Sequence, residues 1–98
     1  MLPYDEVSRI VEKTAKASFG KNNVVRAFTE SGIDSEGEEA LRITIVVTPD
    51  AVEKIDGDEL LNNLLTIHDG LRQRGEERTP MVGYATEEEL AEIGDSES

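Results

Sequence analysis

Ala40-Leu41-Arg42-Ile43-Thr44-Ile45-Val46-Val47-Thr48 is the stretch whose reading decides the fold. Leu41, Ile43, Ile45 and Val47 occupy every second position. Side chains alternate faces along a strand, so these four share one apolar face. Arg42, Thr44 and Thr48 fall on the other, together with Ala40 and Val46. Most of these residues are β-branched and suit a pleated surface. Pro49 has no N–H to give to a ladder and marks the end of the strand. The segment is the best-specified strand of the chain and is expected at the centre of a sheet.

Upstream, residues 3–19 read as an amphipathic helix, with Val7, Ile10, Val11, Thr14, Ala15 and Ser18 on one face. Pro3 fits its first turn and Gly20 fits the residue just past its end. Arg9, Lys13 and Lys16 form a separate basic stripe suited to an anion, an acidic partner or water. Residues 23–30 read as a second strand. Strict alternation puts Val24, Arg26 and Phe28 on one face and Val25 and Ala27 on the other. Ser31 to Glu39 is a polar connection containing Gly32 and Gly37, so the two strands are expected to pair antiparallel.

Downstream, Pro49 to Ile55 is a short connection with about one helical turn. A second long helix is expected over about 57–74, capped by Asp56, with Leu60, Leu61, Leu64, Leu65, Ile67, His68 and Leu71 on a broad apolar face. Gly75 is its expected terminator. Thr79-Pro80 opens a third strand over Met81 to Ala85. Thr86-Glu87-Glu88-Glu89 is a capping-box signature, with acid at the positive end of a short helix that carries Leu90 and Ile93.

The expected architecture is α+β: a two-layer sandwich in the order α-β-β-α-β-α, with a three-stranded mixed sheet and both long helices on the Leu41/Ile43/Ile45/Val47 face. Residues 1–94 form one domain and 95–98 an acidic flexible tail. A three-stranded sheet leaves two edges and one uncovered face, which points to association with another protein or another copy.

The formal charge of −12 is unevenly spread. Residues 1–26 carry five basic and three acidic side chains, a net of +2; residues 27–98 carry five basic and nineteen acidic, a net of −14. Such a field repels phosphate backbones, so no direct nucleic-acid binding is expected, whereas a basic protein surface is a suitable partner. The chain has no Cys, which excludes thiolate chemistry and Cys-based zinc sites. Its longest apolar run is three residues, Ile45 to Val47, so no membrane span is expected. The N-terminal residues do not follow a secretory pattern, and a cytoplasmic location is the expectation.

The residues suited to chemistry are few. His68 is the only histidine and lies on the apolar side of a helix. The Gly-x-Ser-x-Gly, phosphate-loop and dinucleotide signatures are missing. Asp34, Glu36 and Glu38, with Glu39, crowd one loop as candidates for a hard cation, but Gly37 comes too early for a calcium loop. Arg72, Arg74 and Arg78 cluster after the second long helix, where Arg suits carboxylate or phosphate, with Glu76 and Glu77 between them as local partners. Together with Arg42 and Thr44 on the uncovered sheet face, these arginines are the candidate interaction residues. No catalytic residue, cofactor or metal is assigned.

The order helix, strand, polar loop, strand, helix, strand resembles the minimal nucleotidyltransferase fold of bacterial toxin–antitoxin pairs. Tyr84-Ala85-Thr86-Glu87-Glu88-Glu89-Leu90 looks like that family's third strand running into a helix. The resemblance implies a Gly-Ser signature after the first strand and paired Asp residues on a strand to hold magnesium. Here the loop has Ser31-Gly32 in reversed order, and Leu41 to Val47 contains no carboxylate. No catalytic residue is carried over. The expected function is a non-enzymatic acidic interaction module, homodimeric or bound to another protein. The alternatives are a small-ligand or metal-binding domain and a catalytically degenerate nucleotidyltransferase-like protein.

Overall fold

Leu41, Ile43 and Ile45 are fully buried on a strand with a neighbour on each side. The computed structural model describes residues 1–96. Its elements are α1 (Tyr4–Phe19), β1 (Val24–Ile33), β2 (Glu39–Val47), α2 (Pro49–Lys54), α3 (Gly57–Gln73), β3 (Thr79–Ala85) and α4 (Glu87–Ser96). The sheet order is β1-β2-β3, with β1 antiparallel and β3 parallel to β2. The α+β class, the mixed three-stranded sheet and the element order all agree with the sequence reading.

The core forms where the alternating face of β2 meets two helices. Val7, Val11, Ala15 and Phe19 of α1, and Ile67 and Leu71 of α3, cluster with Leu41, Ile43, Ile45 and Val47. Each large aliphatic side chain taken from water contributes about 1.5–3 kcal/mol. The buried residues of α1 recur every four positions, making one ridge over the sheet. Phe19, outside the expected face, joins this ridge and meets Tyr84 edge-on, with centroids 6.1 Å apart. Ser18, expected on the apolar face, is exposed instead.

Two further expectations about the core are corrected. Leu61 and Leu65 are each 54% exposed, because α3 touches the sheet along the narrower stripe of Asn63, Ile67 and Leu71. In β1, the register shifts between Val24 and Arg26, so Val25 is an extra residue. This bulge places Val24 opposite Val47 and Ala27 opposite Ile45, both on the core face. Val24 therefore does not share a face with Phe28.

Local signals set the element ends. Asp56 Oδ1 accepts from Glu59 N at 2.9 Å to cap α3, and Thr48 Oγ1 accepts from Ala51 N at 3.2 Å to cap α2. At α4, Thr86 Oγ1 accepts from Glu89 N while Glu89 Oε1 accepts from Thr86 N, both at 3.2 Å, completing the capping box. Ser31 and Gly32, expected in the connection, lie within β1, which leaves a tighter hairpin. There, Gly37 takes the left-handed conformation at φ +82°. α4 continues through Gly94 to Ser96, so Asp95 and Ser96 of the expected tail are helical; residues 97–98 lie outside the described part. A single glycine costs a helix only about 1 kcal/mol.

Candidate interaction face

Cross-strand register defines the side of the sheet turned away from α1 and α3. Four rows run across it: Arg26–Val46–Ala85, Phe28–Thr44–Gly83, Glu30–Arg42–Met81 and Gly32–Ala40–Thr79, in which Ala40 is fully buried. Residues directly opposite one another share a face, so these twelve positions form one surface.

The first row is closed. Arg26 Nε donates to Glu87 Oε1 at 3.0 Å, linking β1 to the first turn of α4 across the position of β2. Val46, between Arg26 and Ala85 in this row, is fully buried. The whole face is therefore not wet, contrary to the expectation from alternation alone. The Arg26 guanidinium also lies 5.1 Å from the Phe28 ring centroid, a cation–π contact.

The Phe28–Thr44–Gly83 and Glu30–Arg42–Met81 rows are open. Phe28 and Thr44 are half-buried, while Glu30, Arg42, Gly83 and Met81 are exposed. A Cβ added to Gly83 would meet no atom within 4 Å, so the strand surface beside Thr44 is open. The patch is rimmed by opposite charges, Glu30 and Arg42, on adjacent strands. Among the described residues, the outer edges of β1 and β3 have no paired strand. Pro80 on β3 removes one donor from that edge, whereas the ten-residue β1 has no proline.

The structure separates the three arginines that the sequence places together. Arg78 is buried and pairs with Glu76. Arg74 turns to the groove between α1 and α3, and Arg72 is exposed beside Gly75 and Glu77. They form no joint anion site. Glu76 Oε1 accepts from Leu2 N at 2.9 Å, and Arg78 Nη2 donates to the Leu2 carbonyl. Hydrogen bonding from the Arg78 side chain outweighs desolvation and lowers the Glu76 pKa from 4.5 to about 2. The same pairing raises that of Arg78. This buried pair fastens the N-terminal segment to the start of β3.

The Asp34 loop is shaped by its own backbone. Asp34 Oδ1 accepts from Glu36 N and Glu38 N, each at 2.9 Å, which is an Asx-turn arrangement. Among the described residues, no three acidic or histidine side chains gather as metal ligands. His68 is half-buried on α3. Asn63, fully buried on the same helix, was missed in the sequence although its three- and four-residue spacing to Leu60 and Ile67 places it on the core stripe. Its Nδ2 donates to the Tyr84 hydroxyl at 3.0 Å, while its Oδ1 has no partner. Burial raises the Tyr84 pKa, partly offset by that hydrogen bond.

No protein-family model, curated protein or solved structure matches this chain. Among the described residues, no helix is long and apolar enough to cross a membrane.

Proposed function

We propose that this protein is a non-enzymatic interaction module that receives another protein on the open rows of its sheet. The observation that carries this reading is the Phe28–Thr44–Gly83 row: a flat, partly apolar surface on the face without the two long helices. Phe28 and Met81 supply apolar area, and Arg42 and Glu30 supply polar contacts at the rim, a composition suited to a protein interface. The unpaired β1 edge adjoins this patch and offers backbone groups to an incoming strand. The net charge of −12 steers basic surfaces toward the molecule and disfavours nucleic acid. A second copy can satisfy the same face by setting Arg42 against Glu30.

The absence of Cys makes a direct test simple, because Thr44→Cys introduces a single thiol on the face. In protein isolated at low salt with its associated chain, modification of that thiol is expected to be at least about tenfold slower than in the dissociated protein. Leu65→Cys, at an exposed position of α3, serves as the control with unchanged rate. Equal protection at both positions, or none at Thr44→Cys, overturns the assignment of the face.

A further inference from the structure

The groove between α1 and α3 brings two neighbouring cations of α1 together with a third that lies far along the chain. Arg9 and Lys13 come from α1 and Arg74 from the residue just after α3. They line a solvent-open groove of about 510 Å³ together with Ile10, Ser18 and Glu6. Three cations and one carboxylate give this groove a net charge of +2 in a chain whose formal charge is −12.

Among the described residues, none of the three cations takes part in an ion pair, as is also true of Lys21, Arg42, Lys54 and Arg72; Lys16, Arg26 and Arg78 do. Like charges gathered at one groove repel each other, and a chain with 22 acidic side chains has carboxylates in ample supply to neutralise them. The Thr14 and Thr66 hydroxyls, which also line the groove, donate to the Ile10 and Asn62 carbonyls. The charged donors facing the groove are thus Arg9, Lys13 and Arg74. Its volume lies within the range of small-molecule sites, roughly 300–1,000 Å³.

We propose that this groove binds a compact polyanion, a small molecule bearing two or more phosphoryl or carboxylate groups. Two guanidinium forks grip such groups by paired N–H donors, and the Lys13 ammonium adds a third charge. Ile10 and the aliphatic stems of the cations provide an apolar wall against the ligand's carbon or ester portion. The groove lies in the helix layer, away from the open sheet face, so its occupation is independent of the association proposed above.

Calorimetric titration of the whole protein at low ionic strength, with pyrophosphate and with citrate as probes, tests this. Saturable one-site binding of either probe is expected, and the tighter one identifies the favoured anionic group. Arg9→Gln, Lys13→Gln and Arg74→Gln are each expected to weaken it about tenfold, as for the loss of one charge-assisted contact. Lys54→Gln, which removes an equal charge from an exposed position outside the groove, is expected to leave binding unchanged. Absence of saturable binding for both probes overturns the proposal. So does binding that survives all three groove variants or falls equally in Lys54→Gln.

Discussion

Arg78 donates from Nε to one carboxylate oxygen of Glu76 at 2.9 Å and from Nη2 to the other at 2.7 Å, with side-chain exposures of 6% and 1%. The pair also holds Leu2 by its N–H and its carbonyl, and the guanidinium sits 5.5 Å from the Tyr4 ring centroid. One buried ion pair thus joins the N-terminal segment and the start of α1 to β3.

Removing Arg78 leaves the buried Glu76 carboxylate uncompensated, and removing Glu76 leaves the buried Arg78 with only a 4.0 Å contact to the exposed Glu39 carboxylate. Glu76→Ala and Arg78→Ala are each expected to lose about 3–5 kcal/mol of unfolding free energy in urea titrations. The double variant Glu76→Leu/Arg78→Met is expected to lose much less, because neither charge remains. A double variant as unstable as the sum of the singles contradicts this account.

The pair also sets an acid limb of stability. The folded-state pKa of Glu76 is depressed from 4.5 to about 2, so its contribution is fully present above pH 4.5 and is lost as pH falls toward 2. That contribution is of order 3 kcal/mol. The stability gap between the native protein and Glu76→Gln is expected to narrow over this window and to stay flat between pH 6 and 8. A gap independent of pH down to 2 excludes the linkage.

Asn63, fully buried, and Tyr84, half-buried, form a second polar pair with one atom unsatisfied. Tyr84→Phe alone leaves the Asn63 amide without its partner and is expected to cost about 1–3 kcal/mol. Asn63→Leu with Tyr84→Phe removes both polar groups and is expected to be near neutral. A double-mutant cycle by thermal or urea unfolding measures the difference.

Gly83 separates stability from association. A Cβ there meets no atom within 4 Å, and Gly weakens strands. Gly83→Thr is expected to stabilise the isolated chain by about 0.5–1 kcal/mol while adding bulk to the open surface beside Thr44 and weakening association. Improved unfolding free energy with undiminished association contradicts the role given to this row.

Much of the fold is legible in the chain because local rules and tertiary packing agree. The two-residue period of Leu41 to Val47 places β2 at the centre, and Asp56 and Thr86 cap the helices their spacing marks. Other features depend on contacts between distant segments. The bulge at Val25 changes the face of Val24, and only pairing with β2 reveals it. Val46 reads as exposed by alternation, yet the Arg26–Glu87 ion pair crosses its row.

The arginine cluster shows why the site was harder to read than the fold. Proximity in sequence suggests that Arg72, Arg74 and Arg78 act together, but the turn at Gly75, with φ +86°, separates their surroundings. Arg78 enters the protein with Glu76, Arg74 joins the α1 groove and Arg72 stays in solvent. Arg42 and Thr44 do lie on the sheet surface away from the helices, where alternation places them.

The native mass of the protein purified from its own host at low salt, compared with that of Thr44→Glu, tests the proposed interaction role most directly. The native protein is expected in a defined complex well above its 10.8 kDa chain mass, whether with a second copy or another protein. Thr44→Glu, folded by circular dichroism, is expected to run at the mass of one chain. A native protein found only at the single-chain mass, or a complex that Thr44→Glu leaves intact, contradicts the assignment of the open sheet face to protein binding.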